Sequence, residues 1–247
     1  MDLQGGNRFF FDFEGDEGFL SEEESHHLLK VLRKKKRDKI KLINGKGFEF
    51  EGEITDIFKK GKVWQAKVKI CSVLRTEKPH LKKILAFIPI LKGDKTEFLV
   101  EKGTELGIGK FIPFYSDFSV VKPSEKLQER LRKKAINALK QSGRLFLPEI
   151  SPVVNLTEFL LKNDFNDSLK FFGSSGKKTS LKDLMQKLEK AQEIILISGP
   201  EGGFSKKEEE LLLKKTFYPI TISPYILKAE TASLSLMSIF SFLVFGI

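Results

Sequence analysis

The sequence has little of the chemistry on which metalloproteins and secreted proteins depend. Its 247 residues include one cysteine, Cys71, and three histidines, His26, His27 and His80. A single cysteine excludes an intramolecular disulfide and fits a reducing compartment, so we expect a cytoplasmic protein. These four residues do not supply the closely spaced ligands of a structural zinc site, and we therefore predict no metal.

Long apolar runs are also missing. The N-terminus carries Asp2 and Asp12 and lacks the cationic start and apolar core of a signal peptide. The most apolar stretch, 234–247, is interrupted by serines and is shorter than the roughly 18 to 20 apolar residues of a membrane span. We therefore expect no secretion and no membrane partner, and we interpret this stretch as a buried helix.

Positive charge, in contrast, is plentiful. Lys and Arg number 43 against 33 Asp and Glu, which gives a net charge of +10 and favours a polyanionic partner. Seven of the nine residues from Arg33 to Lys41 are cationic, and only Asp38 opposes them. The pattern fits a surface that binds phosphates, but a solubilising face would look the same.

The hydrophobic pattern indicates two domains. Residues up to 72 contain alternating strands, the turn signals Asn44-Gly45 and Lys46-Gly47, and a helix after Ser21, which with Glu24 has the spacing of a capping box. Beyond a connector, buried strands alternate with helices, as in an α/β domain with a parallel sheet. We predict a β-rich domain over 1–72 and an α/β domain over 73–247. The predicted strands of the latter are 84–91, 110–115, 169–172, 194–198 and 219–223, and its predicted helices are 96–106, 124–142, 180–191, 206–216 and 231–245.

The segment 194–205 is the most informative. An apolar run ends in the turn Gly199-Pro200-Glu201-Gly202-Gly203, and Ser205 with Glu208 then predicts the start of a helix. Open α/β sheets bind ligands at the carboxyl ends of their strands, where glycines allow close approach of the backbone. A turn required only by the fold would use similar residues. The segment is neither a Walker A loop nor a dinucleotide fingerprint, which disfavours nucleotide hydrolysis and hydride transfer.

Two acidic groups are further candidates. Glu230 follows Lys228 where a short strand passes into the apolar helix, and its carboxylate could accept a proton, although a solvated helix entrance is the commoner structure. Glu97, Glu101 and Glu105 recur every four residues and share one helix face, which is more often exposed to solvent than catalytic.

The end of the basic helix is a candidate of a different kind. Gly143 is an expected helix terminator, and Arg144 beyond it is free to reach a phosphate or a substrate.

Five motifs, taken in order, resemble the bacterial RsmE family. This family belongs to the SPOUT superfamily and uses S-adenosylmethionine to methylate N3 of a uridine in small-subunit ribosomal RNA. The resemblance spans nearly the whole chain, and the five motifs in this order are specific. They are SHHLLKVLR at 25–33, EF at 97–98 followed by EKGTELGI at 101–108, QSGR at 141–144, GPEGG at 199–203 and LKAETA at 227–232.

The resemblance implies a fold and an assembly. The fold is α/β, with a C-terminal SPOUT-type trefoil-knotted parallel-sheet domain and a smaller N-terminal β-rich PUA-like domain. The implied cofactor is S-adenosylmethionine, and the implied partners are 16S ribosomal RNA, within the assembled or nearly assembled 30S subunit, and a second copy of the chain in a homodimer. Periodicity and composition do not establish these properties.

The resemblance also implies roles for individual residues. Cofactor contacts are expected from Phe172, Gly173, Gly199, Pro200, Gly202, Gly203, Ile222, Leu227 and Ala229. RNA contacts are expected from Arg8, Arg33, Lys34, Lys35, Lys36 and Arg37. The candidate catalytic residues come from the chemistry of the reaction and are Glu201, Glu230, Glu105, Arg144 and Lys228.

Transfer to N3 of uracil requires the loss of its proton. We hypothesise that one of the three candidate glutamates accepts this proton, with Arg144 or Lys228 near the uracil carbonyls, and the sequence does not choose among them. Methylation at C5 is disfavoured because that reaction uses a cysteine nucleophile. The only thiol, Cys71, is predicted to be a small buried residue of a strand in the N-terminal domain.

Several positions depart from the family pattern. Lys140 stands where Glu is usual, Tyr225 and Lys228 stand where Arg is usual, and Arg37 and Asn44 replace a usual Gly and Asp. The departures leave two alternatives open. One is a non-catalytic RNA-binding ribosome-assembly factor, and the other is a SPOUT methyltransferase acting on another RNA nucleotide.

Overall fold

Two units make up the computed structural model of the protein, which describes residues 7–61, 63–81, 83–174, 176 and 181–246. The first unit contains the chain up to Pro79 together with Ile136–Leu147, and the second contains His80–Ala135 and the chain from Pro148 onward. The domain boundary predicted after residue 72 falls within the strand Val63–Thr76. Ser180 and Ile247, which end predicted segments, lie outside the described residues.

The first unit is built on a five-stranded sheet. Its apolar side chains alternate with polar ones and enclose a core that includes Leu20, Leu28 and Leu42. The prediction of a β-rich N-terminal domain is confirmed. The strands are β1 (Arg8–Phe10), β2 (Glu17–Phe19), β3 (Lys39–Ile43), β4 (Phe48–Lys60) and β5 (Val63–Thr76), in the spatial order β1-β3-β4-β5-β2.

A short helical segment follows β2. Helix α1 (Glu22–His26) continues as a π-helical turn, His27–Val31. Ser21 caps α1 as predicted, because its Oγ accepts a hydrogen bond from the N–H of Glu24 at 3.2 Å. The Glu24 carboxylate pairs instead with the Lys140 ammonium at 2.5 Å, so the second half of the expected capping box is replaced by an ion pair.

Cys71 lies in β5, but the expectation that it is buried is wrong. Across the hairpin of β4 and β5, Gly52 is opposite Ile70 and Glu51 is opposite Ser72. Cys71 is therefore the extra residue of a β-bulge, and a bulge removes a side chain from the regular in-and-out alternation. Its thiol is exposed.

The second unit contains a parallel sheet of seven strands, as the α/β prediction requires. The described pairings in this sheet are all parallel, and the spatial order is β12-β10-β11-β6-β7-β8, with β9 also paired to β7. The strands are β6 (Lys83–Pro89), β7 (Lys110–Tyr115), β8 (Glu149–Ile150), β9 (Val154–Asn155), β10 (Ser168–Gly173), β11 (Glu193–Ile197) and β12 (Tyr218–Ile220).

Helices cover both faces of this sheet, so its strands are buried on both sides. Phe171 contacts Phe240 of the last helix on one face, with ring centroids 4.6 Å apart, and Phe172 packs against Leu160 and Leu212 on the other. Within the described part of the chain, no helix is both long enough and apolar enough to cross a membrane. The helices are α2 (Lys95–Glu105), α3 (Leu127–Ser142), α4 (Leu156–Lys162), α5 (Leu181–Lys190), α6 (Lys206–Lys214) and α7 (Ala229–Phe245).

Candidate functional site

Three strands of the second unit end side by side. Strand β10 lies between β11 and β12, with Phe172 opposite both Ile197 and Pro219. The glycine loop, residues 198–205, leaves β11 on one side of Gly173, and the second loop, residues 221–228, leaves β12 on the other. The structure therefore brings together the two loops and the strand end that the sequence predicts to be cofactor-binding. The Phe172 side chain is buried in the core, so only its backbone reaches this edge.

Glycine is required by the shape of the first loop. The N–H of Gly203 donates to the carbonyl of Pro200 at 2.9 Å, and Gly203 has φ +71°. A Cβ on Gly199 would lie 3.1 Å from the Cα of Gly203, and a Cβ on Gly202 would lie 2.7 Å from the Cβ of Phe118. A side chain at 202 would therefore displace Phe118 or the loop, and one at 199 would require the backbone at Gly203 to shift by a few tenths of an ångström.

The predicted capping box at the start of α6 is confirmed and anchors the far end of the glycine loop. Ser205 Oγ accepts from the N–H of Glu208 at 3.3 Å, and the Glu208 carboxylate accepts from the N–H of Ser205 at 2.8 Å. The other carboxylate oxygen of Glu208 accepts from the N–H of Asp117 at 3.0 Å. The loop is thus held to the segment that follows β7.

The second loop is fixed at its start and exposed at its tip. Thr221 Oγ1 donates to the carbonyl of Ser174 at 2.9 Å, which ties the loop to the end of β10. Tyr225 and Ile226 are 80% and 97% exposed, whereas Ile222 and Leu227 are half-buried. Helix α7 begins at Ala229, two residues before its predicted start, so the exposed Lys228 is its N-cap residue.

Glu230 lies in the first turn of α7 and has one uncommitted oxygen. Its Oε1 is 3.0 Å from the ammonium of Lys95, at the start of α2. Its own backbone N–H, together with the Lys95 ammonium, lowers the pKa of this carboxyl below its usual value, so it is ionised at neutral pH. Oε2 is buried and has no hydrogen-bond partner among the described residues. Glu230 is therefore an ionised carboxylate in the helix turn that follows the second loop, with one buried oxygen that no described residue engages.

The other two candidate glutamates are placed differently. Glu201 is exposed in the glycine loop, with Oε1 3.4 Å from the backbone N of Lys92. Glu105 ends α2, whose first residue is Lys95, and an 11-residue helix separates its two ends by about 15 Å. Its carboxylate pairs with Lys102 at 2.8 Å. The structure does not bring Glu105 to the edge of the sheet where Glu201 and Glu230 lie.

The acidic face of α2 is only partly solvated, because Glu105 is exposed, Glu101 is half-buried and Glu97 is buried. The Glu97 side chain is 10% exposed and pairs with Arg130 of α3 at 3.1 Å, and Glu101 lies 3.5 Å from Lys134. These carboxylates attach α2 to the basic helix α3 and are structural.

Two predicted functional arginines belong to the first unit and differ in their surroundings. Burial lowers the pKa of Arg144 to about 10, against the opposing effect of Glu77, and the guanidinium stays charged at neutral pH.

Arg8 is buried, and its Nε lies 2.7 Å from the carboxylate of Glu49. The role of Arg8 in RNA binding stays a prediction, and a phosphate would have to compete with this buried ion pair.

The rest of the predicted RNA-binding run is at the surface, between the π-helical turn and β3. Lys36 pairs with Asp56 at 3.3 Å. The other four cations of the run are Arg33, Lys34, Lys35 and Arg37. No ion pair among the described residues engages any of them. Two of the four have a positive φ, +55° at Arg33 and +76° at Arg37.

A cavity of about 580 Å³ in the first unit is lined by residues from separate sequence motifs. Its lining includes Arg8, His26, His27, Lys140 and Gln141. The ring of His27 is 6.0 Å from that of Phe9.

One potential binding residue was missed by the sequence analysis. Trp64 lies at the start of β5 in a second, larger cleft of about 910 Å³. The alternation around it predicts only a strand, and its status as the sole tryptophan of the chain is the one local signal.

Two domain families that act on RNA match this chain. Residues 77–241 match the model of the RNA methyltransferase domain, and residues 20–65 match that of the RNA methyltransferase PUA domain. A β-rich unit followed by a parallel-sheet α/β unit, with these matches, is an RNA methyltransferase with an N-terminal PUA domain.

Relatives over nearly the full length narrow the class to one family. Ribosomal RNA small subunit methyltransferase E of Bacillus subtilis is 32% identical over 90% of this chain and 89% of its own. The Aquifex aeolicus protein of the same name is 32% identical over 90% of this chain and 97% of its own. The crystal structure of the Neisseria gonorrhoeae protein bound to S-adenosylmethionine is 27% identical, with a TM-score of 0.83 over 96% of this chain and 98% of its own. The chain belongs to the ribosomal RNA small subunit methyltransferase E family.

Proposed function

We propose that this chain transfers the methyl group of S-adenosylmethionine to N3 of a specific uridine in 16S ribosomal RNA. The observation that carries the proposal is the convergence of the glycine loop, the second loop and the end of β10, with Glu230 in the helix turn that directly follows the second loop. Its family membership and the S-adenosylmethionine bound in the Neisseria relative support the same chemistry.

The residues at this edge fit such a cofactor. A Cβ on Gly203 would meet nothing within 4 Å, so this glycine borders open space, and the nearest atoms to a Cβ on Gly173 would lie at ordinary contact distance in Ser198 and Ile197. The half-buried Ile222 and Leu227 offer apolar surface for the faces of an adenine, and loop backbone groups, including those at Pro200, Gly202 and Ala229, can satisfy its polar edge. When bound, the cofactor supplies a methyl group already activated on a sulfonium.

The chain's own residues then have to position and deprotonate the nucleophile. Alignment of the reacting groups by the two loops can supply about 7 to 11 kcal/mol of the barrier. We assign Glu230 as the acceptor of the N3 proton, because it is ionised, directly follows the second loop, and has one oxygen with no hydrogen-bond partner among the described residues. Lys228, exposed two residues earlier, is placed to stabilise negative charge on a uracil carbonyl.

The departure at Lys140 does not argue against activity. Its ammonium pairs within the first unit with Glu24, whose side chain is only 7% exposed. Burial raises the pKa of Glu24, and the hydrogen bond from Lys140 opposes that rise. A positive charge at position 140 therefore has a local partner, so its presence is explained without any loss of catalysis.

The four surface cations of the basic run are the proposed phosphate ligands. Uncommitted exposed cations bind RNA by displacing counterions, so the affinity should fall steeply with salt. Lys36 contributes less, since it already has Asp56 as a partner.

Arg37→Gly should stabilise the protein while weakening RNA binding. Arg37 occupies the left-handed region at φ +76°, where glycine is unstrained and where glycine is usual in the family it resembles. We expect the free energy of unfolding to rise by roughly 0.5 to 1 kcal/mol. We also expect the slope of log affinity against log salt to become shallower by about 0.7. Urea denaturation and RNA titration at several salt concentrations measure the two effects.

Lys35→Gly is the matched control for Arg37→Gly. It removes the same charge two residues away, at a position without positive φ, so it should lower the salt slope equally but destabilise the fold. An unchanged salt slope in both variants would remove this run from the RNA-binding surface.

The remaining parts of the proposal concern assembly. We propose that the second unit contains a trefoil knot, that the chain forms homodimers, and that it acts in the cytoplasm on assembled or nearly assembled 30S subunits. Analytical ultracentrifugation tests the dimer, and comparison of intact subunits with free RNA as substrates tests the assembly stage.

In the decisive experiment the protein is incubated with labelled S-adenosylmethionine and, in separate reactions, with small subunits lacking the modification, with free 16S RNA or with tRNA. Label at N3 of one uridine in the small-subunit RNA is the expected result. Label in tRNA or on another nucleotide would replace the substrate assignment. RNA binding without any binding of S-adenosylmethionine would identify a ribosome-assembly factor and overturn the enzymatic proposal.

A further inference from the structure

A cleft in the first unit combines an aromatic ring with both signs of charge. Its volume is about 910 Å³, and it lies between the tip of the β4–β5 hairpin and the helical segment 22–31. Lys59 and Trp64 line it from the hairpin, and Glu22, Glu23 and Lys30 line it from the helical side. These residues all fall within the part of the chain matched to the RNA methyltransferase PUA domain.

Trp64 is held in this cleft with ammonium groups over its ring. Lys59 is directly opposite Trp64 across the hairpin, and its Nζ is 5.6 Å from the ring centroid. The Nζ of Lys30 is 5.0 Å from the same centroid. Trp64 is only half-buried, so no side chain among the described residues covers its indole fully. Mobile ammonium groups cover a ring face weakly, and a flat partner that stacks can displace them because stacking is stronger than an exposed cation–π contact.

The charges of the cleft select the kind of partner. The positive charges of the two lysines equal the negative charges of the two glutamates, so these four residues do not form a general phosphate-binding site. A polyanion alone would be repelled by Glu22 and Glu23, whereas a base that carries an exocyclic amine can donate hydrogen bonds to them. The displaced lysines are then free to meet the phosphates on either side of that base.

We propose that this cleft binds one unpaired, amino-bearing RNA base, adenine, cytosine or guanine, stacked on Trp64. The inference rests on the proposed function in taking RNA as the substrate. It adds a second recognition site, which reads a base other than the modified uridine. Uracil has no exocyclic amine, so it gains the stack without the hydrogen bonds to the carboxylates.

The sole tryptophan makes the site directly observable. We expect hexaadenylate and hexacytidylate to quench the tryptophan fluorescence of the full-length protein, since Trp64 is its only source. Hexauridylate should bind about fivefold more weakly. Glu22→Gln combined with Glu23→Gln should remove this preference and leave the quenching. The absence of quenching, or equal affinity for the three oligonucleotides, would overturn the proposal.

Variants of the ring test stacking itself, with affinity measured by the anisotropy of a labelled oligonucleotide. Trp64→Leu should weaken binding of hexaadenylate about tenfold, and Trp64→Phe should restore most of the loss. Phe58→Leu is the control, because Phe58 is an exposed aromatic on the opposite face of the same hairpin from Lys59. If Trp64→Leu and Phe58→Leu bind equally well, the base is not stacked on Trp64.

Methyl transfer to small subunits separates the two proposals. Wild-type protein that transfers the methyl group but shows no quenching refutes the base-binding cleft and leaves the proposed function standing. Quenching with base preference but no methyl transfer to any RNA refutes the enzymatic proposal and leaves the cleft standing.

Discussion

Replacement of Glu49 by alanine should lower the free energy of unfolding by about 3 to 5 kcal/mol. Both carboxylate oxygens of Glu49 are committed, one to the Nε of Arg8 at 2.7 Å and the other to the Nε of Arg75 at 3.1 Å. The side chains of Glu49 and Arg8 are 6% and 5% exposed. Removal of the carboxylate would leave the Arg8 guanidinium buried without its counter-charge, which costs far more than the loss of a surface pair.

The same arginines connect Glu49 to the end of α3. Arg8 donates to the carbonyl of Lys140 at 3.3 Å, and Arg75 donates to the carbonyl of Gly143. The last carbonyls of a helix lack partners within the helix and carry partial negative charge, so cations at that end are stabilising. Glu49 therefore orients two cations that hold the segment 136–147 to the sheet of the first unit.

Glu51→Ala is the matched control for Glu49→Ala. Glu51 lies two residues along the same strand and pairs at 2.7 Å with Lys39, whose side chain is 67% exposed. An exposed pair of this kind contributes about 0 to 1 kcal/mol. Urea denaturation followed by the fluorescence of Trp64 reports on the unit that contains both glutamates. Equal losses of stability in the two variants would show that the buried cluster is not the anchor.

The contrast between Glu49 and Glu51 shows a limit of sequence analysis. Both stand in the alternation Phe48-Glu49-Phe50-Glu51, and period two places both on the polar face of a strand. The difference comes from Arg8, 41 residues earlier, which meets Glu49 only once the sheet has formed. Local patterns predict which face a residue occupies, but not which distant residue covers that face.

Elements with strong periodicity were predicted well. Strand β7 has its predicted ends, and α7 differs only by beginning two residues early. That small difference matters, because it places Glu230 inside the first turn of the helix, where backbone N–H groups lower its pKa. Helix α4 was missed, since seven residues are too few to establish a helical period.

The sequence predicts which edge of the parallel sheet carries the candidate cofactor loops. Apolar runs followed by glycine or proline locate strand ends, and parallel strands of one sheet end at one edge, which is why the loops after β11 and β12 meet. The proposal of Glu230 over the other two glutamates rests on contacts between segments that are distant in the sequence. Glu105 and Glu230 both belong to family motifs, yet Lys95 contacts Glu230 from one end of α2 and Glu105 lies at the other.

Replacement of Glu230 by glutamine should lower kcat by about a hundredfold to ten-thousandfold, with little change in the affinity for S-adenosylmethionine. Glutamine keeps the size of the side chain and one carbonyl oxygen, but it cannot take a proton from N3 of uracil. The lowered pKa of Glu230 adds a pH prediction. A carboxyl with a depressed pKa loses its proton at a lower pH than usual, so acid should reduce kcat through this group only below the ordinary titration range of glutamate.

Glu105→Gln and Glu201→Gln complete the comparison. Glu105 pairs with Lys102 at the far end of α2, and its replacement should leave kcat within about twofold of wild type. Glu201 is exposed and touches only the backbone N of Lys92 at 3.4 Å among the contacts described, so its loss should affect kcat far less than that of Glu230. Single-turnover rates at saturating cofactor and RNA measure the chemical step directly. A Glu230→Gln enzyme with a wild-type single-turnover rate would exclude Glu230 as the base, and a raised KM for S-adenosylmethionine with unchanged kcat would reassign its carboxylate to cofactor binding.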